Sequence, residues 1–192
     1  MIACTATIDL DSSTTTLSSR PQPIAFESLQ QLKQLMTESP DFVQGDLADF
    51  RRAADNVRLA QLATILCATN LGDKWSPEGT ALIGINGDGC ALNNRLFWDD
   101  FISHGHDNGR ASLFVPTLPS IPVCEAAIAL HIQGPVRYIA AESASLLEEA
   151  ISDMFATDST LRQIMTVELF NRSVRCVLHT QHANHEPLTT NN

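Results

Sequence analysis

Residues 2–9 have the pattern of a strand, and the stretch DSSTTTLSSRPQP after them is polar, ends in prolines and reads as a loop. SLQQLKQLM opens with the capping-box pair Ser28 and Gln31 and sets Leu29, Leu32 and Met36 on one helical face. SPDFVQGD breaks that helix. A longer one is expected from Asp46, with Leu59, Leu62, Ala63 and Leu66 at the three–four spacing of a buried stripe. NLGDKWSPEG is a loop, and TALIGI is a continuous apolar run of the kind found inside a parallel sheet. NGDGCALNN turns that strand into a helix over residues 91–103. SHGHDNGR is loop, and a helix over 120–132 follows, with Ser120 as its cap and Pro122 in its first turn. VRYIA is a strand, and 144–156 is a helix with Leu147, Ala150, Ile151 and Met154 on one face. Two strands near 163–169 and 173–179 are joined by a turn too short for anything but antiparallel pairing.

The alternation predicts an α/β fold: a three-layer α/β/α sandwich around a five-stranded mixed sheet. Residues 136–140 are expected at its centre, with the 173–179 strand antiparallel at an edge. One domain is expected over residues 1–179. The polar tail, 180–192, is expected to be disordered.

Composition narrows the functions. The chain has 192 residues, 44% hydrophobic and 18% charged, the make-up of a folded globular protein long enough for a core. A net charge of -10 works against a nucleic-acid or anionic-membrane surface, since both reward a positive field. The five cysteines are odd in number, scattered and never in a Cys-x-x-Cys pair, which speaks against a disulfide framework or a zinc cluster. MIACTATIDLDSS lacks the basic start and apolar run of a secretory leader, and no run is long enough to span a bilayer. A cytoplasmic protein without a cofactor is the expectation.

Three segments carry a resemblance. ADFRRAADNVRLAQLATILCATN resembles the arginine-led, alanine-rich helix before the second strand of β-ketoacyl synthases. TALIGINGDGCALNN is similar to their strand and glycine turn, and FVPTLPSIPVCEAAIALHIQGP to the Phe-Pro-x-x-Leu-Pro-Asn segment whose helix runs into a Gly-Pro. Together these span residues 47–169 in the family's order. The resemblance implies the N-terminal half of a thiolase-like fold. Counting from Gly134, the family's nucleophilic cysteine falls on Ser143. A thiolate at a helix N-terminus is nucleophilic at neutral pH, whereas a serine hydroxyl needs an adjacent base. The family takes two histidines from its C-terminal half, and this sequence ends before such a half. His104, His106, His131, His179, His182 and His185 stand in none of the family's histidine contexts. The asparagine after Leu-Pro is Ser120 here, and a small Ala-Gly pair is Val123-Cys124.

What the resemblance implies is therefore a non-catalytic ketosynthase-like half, a binding or assembly partner in fatty-acid- or polyketide-type biosynthesis. It would pair with itself or with a ketosynthase, and an acyl carrier protein is a further partner. An acyltransferase or hydrolase using Ser143 is the alternative, and a structural module without ligand a third.

Other stretches have a structural and a chemical reading. Ser145 and Glu148 form a Ser-x-x-Glu cap pattern, which competes with a covalent role for Ser143. GINGDG resembles a phosphate loop but lacks the dinucleotide spacing and the Walker lysine. Asp99, Asp100, His104, His106 and Asp107 are metal-ligand types in what also reads as an ordinary surface turn, with His104, His106 and Asp107 the weak metal candidates. Phe97, Trp98 and Phe101 suit a core or a partner's docking face. Arg51 and Arg52 suit a solvated helix start or contact with a carrier's phosphopantetheine arm.

Overall fold

The computed structural model describes residues 1–87, 90–105, 109–140, 144–170 and 172–181. Its strands are β1 (Ile2–Asp9), β2 (Thr14–Leu17), β3 (Arg20–Ala25), β4 (Thr80–Ile85), β5 (Val136–Ile139), β6 (Gln163–Leu169) and β7 (Ser173–Thr180). They form one mixed sheet in the order β3-β2-β1-β7-β6-β4-β5. β4 runs parallel to β5 and β6, and β7 is antiparallel to both β6 and β1. The helices are α1 (Leu29–Glu38), α2 (Asp55–Leu71), α3 (Ala91–His104), α4 (Ala111–Phe114), α5 (Ile121–Ala129) and α6 (Ala144–Thr157).

Side chains leave β4 alternately, so one strand joins two cores. Leu82 packs into the larger core with α2, α5 and the inward residues of β1, β6 and β7. Ala81 and Ile83 meet Met154, Leu147 and Ile151 of α6 on the other face. Helices therefore cover both faces. The second cover is a single helix, and beyond it Thr5, Thr7 and Arg175 of β1 and β7 remain partly or fully exposed. α2 is buried on nearly every side, from Leu59 through Ala68, so the expected stripe is an all-round core helix.

Several expectations need correction. The sheet has seven strands rather than five, because the segment read as a loop forms the hairpin β2–β3. Threonines 14–16 favour extended backbone, and buried Thr15 satisfies its hydroxyl on the Thr7 carbonyl at 2.9 Å. Pro21 and Pro23 fit because β3 is an edge strand, where an absent N–H costs no ladder bond. The 136–140 strand lies at the opposite edge, not at the centre. The 173–179 strand is interior, because β1 pairs along its far side.

The second helix starts at Asp55, not Asp46. Phe50 is fully buried, which folds the preceding turns over the core, and Arg58 holds them by donating to the Phe50 and Arg51 carbonyls. Ser28 caps α1 as expected, accepting from the Gln31 amide at 3.2 Å. Ser120 occupies its cap position without a side-chain hydrogen bond, and Ser145 is the second residue of α6 rather than its cap. The tail beyond Gln181 lies outside the described residues. Among the described residues no single helix is long and apolar enough to cross a membrane.

Candidate functional site

The strands β1, β4 and β6 point their C-terminal ends in one direction, and a cleft of about 840 Å³ opens there. This is where open α/β sheets place ligands. Leu10, Leu169 and Phe170 line one wall, and Leu92, Leu96, Leu113 and Pro116 the other. Asn56, Asn86, Asn93 and Cys90 form the polar floor. The N-termini of α2 and α3 both reach the cleft, and Arg52, Arg58 and Arg172 stand around it. Arg58 is engaged by Asp55 and the two carbonyls named above, and Arg172 by Asp11 at 2.5 Å. Arg52 is exposed.

Cys90, in the NGDGCALNN turn, was given no role of its own in the sequence reading. It precedes α3 in the left-handed conformation, φ 65°, and is buried. The side-chain amides of Asn56 and Asn86 each donate to its sulfur at 3.6 Å. Burial nevertheless pushes its thiol pKa up, so at neutral pH it is a protonated thiol and not an activated nucleophile. No sequence pattern announced this residue; its one signal is the position directly after the glycine turn.

The predicted site residues separate. Ser143, His106 and Asp107 lie outside the described residues, as does the turn at 88–89. Arg52 lines the cleft, while Arg51 only lends its carbonyl to Arg58. Gly84 answers the glycine question differently from a phosphate loop: a Cβ there would come within 2.9 Å of Val123. The room for α5 against the sheet is thus made on the strand side.

His104 and Asp100 meet, but as a structural tie. Asp100 is buried, and Arg110 clamps it through both oxygens, one at 2.9 Å from Nε, while His104 Nδ1 lies 3.1 Å away. The described residues contain no group of three or more side chains able to hold a metal. Among the described histidines none lines the cleft. Phe97, Trp98, Phe101 and Phe114 form an aromatic cluster between α3 and α4, with Trp98 55% exposed.

The Asp100 tie is testable by pH. Arg110, helped by His104, holds the Asp100 carboxyl below the usual carboxylate range. A depressed folded-state pKa contributes stability that is present above the unfolded value of about 4 and lost as pH falls toward the folded one. Trp98 emission is expected to shift below that pH, and Asp100→Asn to show the shifted emission already at pH 7. Identical emission of variant and wild type at pH 7 would rule out this tie.

With the geometry in hand, the chain can be compared with known proteins. No protein-family model matches the sequence, and no curated protein matches it significantly. Among solved structures, 94% of this chain superposes on 78% of a chain from a complex of a ketosynthase (ApeO) with its chain length factor (ApeC) from Xenorhabdus doucetiae. The TM-score is 0.62 at 13% identity. The protein has a ketosynthase-like α/β fold with a seven-stranded mixed sheet. The likeness establishes the fold and leaves the chemistry to the residues.

Proposed function

We propose that this chain is a non-catalytic ketosynthase-like half that serves as a partner subunit of a ketosynthase in fatty-acid- or polyketide-type biosynthesis. The observation that carries the reading is an apolar surface that begins at an open sheet edge. Among the described residues β5 has a neighbour on one side only. α5 touches β5, the 3-10 turn Val115–Thr117 touches α5, and α4 and α3 touch that turn. Each contributes exposed apolar side chains: Val136, Ile128 at 60%, Val115, Phe114 and Ile102 at 70%. Leaving such surface in water costs about 25 cal/mol per Å², and large patches of this kind mark interaction sites. The solved ketosynthase with a similar fold is itself in complex with a chain length factor. An acyl carrier protein would approach the cleft from the side of exposed Arg52.

The test is co-expression with the ketosynthases of the same source organism. Recovery of a stoichiometric complex supports the reading. A monomer at tens of micromolar that binds no ketosynthase refutes it.

The non-catalytic part rests on the cleft, where among the described lining residues the one carboxylate, Asp55, is held by Arg58 and no histidine is present. Ser143→Ala is expected to leave partner binding unchanged, and acyl-CoA or acylated carrier protein to leave no adduct by intact-protein mass spectrometry. A stable acyl group on Ser143, lost in the variant, would establish the acyltransferase reading instead.

A further inference from the structure

Three thiols meet in the larger core, where β1, α2 and β7 pack. Cys4 Sγ lies 3.3 Å from Cys67 Sγ, and Cys67 Sγ in turn donates to the Cys176 carbonyl at 3.3 Å. All three are free and buried. A buried cysteine needs no explanation beyond small apolar volume. Two sulfurs in van der Waals contact from elements 63 residues apart ask for more. A disulfide has its sulfurs about 2.05 Å apart, so side-chain rotation through roughly 1 Å closes the gap. The register of β1 against β7 shifts between Ile2 and Cys4, an irregularity in the ladder directly beside Cys4. Ionisation of Cys4 is suppressed by its hydrogen bond with Cys67 and by burial, so the closed core is unreactive.

We propose that Cys4 and Cys67 form an intrachain disulfide under oxidising conditions, a staple that ties the first strand to the buried helix α2. Opening of the bulged end of β1 exposes Cys4 to a low-molecular-weight disulfide. The Cys4 thiolate attacks one sulfur of that oxidant and releases one thiol. While that end of β1 is still open, Cys67 loses its proton to solvent and its thiolate attacks the Cys4 sulfur of the mixed disulfide, releasing the second thiol before the core re-forms. Two protein thiols are oxidised by two electrons, and one disulfide is reduced to two thiols. The product crosslinks the chain across β1 and the hairpin β2–β3, so it resists unfolding of that side of the sheet. This inference does not depend on the partner reading.

The test is incubation of the native protein with excess oxidised glutathione, alkylation, and peptide mapping without reductant. The expected result is a linked Cys4–Cys67 peptide pair, a loss of about 2 Da from the protein apart from glutathione adducts, and a higher urea midpoint that dithiothreitol reverses. Cys4→Ala and Cys67→Ala should abolish the crosslink, whereas Cys176→Ala should keep it. The wild-type map decides the matter even if a variant misfolds. Full alkylation of both Cys4 and Cys67, or a Cys67–Cys176 bond in place of Cys4–Cys67, overturns the proposal.

Discussion

Gly134→Ala is expected to destabilise the protein by about 3 kcal/mol, the upper range for overpacking a tight site. A Cβ at Gly134 would lie 2.3 Å from the Thr80 carbonyl oxygen and 2.9 Å from its carbon. Backbone cannot rotate away as a flexible side chain does. Thr80 is further held by its hydroxyl, which lies 2.6 Å from the Ser76 carbonyl and 3.0 Å from Gln163 Oε1, and by its pairing with β6. The strain must fall on the start of β5, next to the bond from the Leu82 amide to the Pro135 carbonyl. Gly79→Ala is the comparison, because the nearest atoms to its Cβ would be those of the Arg162 side chain, from 3.5 Å, an ordinary contact. Urea unfolding of the two variants checks the pair: equal midpoints would mean that the Gly-Pro turn does not need its glycine for this approach.

Val136→Pro is expected to weaken ketosynthase binding by roughly 100-fold, the size of effect seen when an interface hot spot is lost. The Leu82 amide donates to the Pro135 carbonyl, so the backbone groups of Pro135 and Arg137 face β4. Those of Val136 and Tyr138 then face away from the sheet. Proline at 136 removes an outward donor and sets a ring against any incoming strand, while the inner ladder stays intact. Ile128→Glu, on the adjoining helix face, should weaken binding in the same direction by burying a charge. Circular dichroism and the urea midpoint of Val136→Pro should match the wild type. Normal complex formation by Val136→Pro would move the partner to another surface.

The elements that were legible in the sequence are those whose signal is local. TALIGI is buried along nearly its whole length, and a continuous apolar run states that directly. The Ser28 cap and the stripe of α1 are likewise local, each position no more than four residues from the next. Strand order is different, because it depends on distant partners. β7 became interior through pairing with β1, with Ile2 opposite His179, and nothing near residue 173 announces the neighbour. β5 was expected at the centre and lies at an edge, because its own residues do not say which strands flank it. The hairpin β2–β3 was missed because Pro21 and Pro23 punctuate loops in most contexts and are tolerated at an edge. For the site, Arg52 and Asn86 were within the segments singled out, and both line the cleft. Of the histidine–aspartate cluster, His106 and Asp107 lie outside the described residues. Asp100 already has Arg110 as its partner, at the far end of the SHGHDNGR segment.

The two prolines of β3 bear on how assembly stops. Strand pairing gives a sheet one coupling valence at each edge, and two of the six residues of β3 carry no N–H with which to couple. In polymer terms, pairing through β5 as proposed would make the protein monofunctional, with β5 the one free edge among the described residues. Monofunctional units make pairs and cannot propagate, so a copy that has joined a partner terminates the chain it began. Mass should rise with concentration to that of a pair and then stay constant, without the open-ended growth that a sheet with two free edges permits.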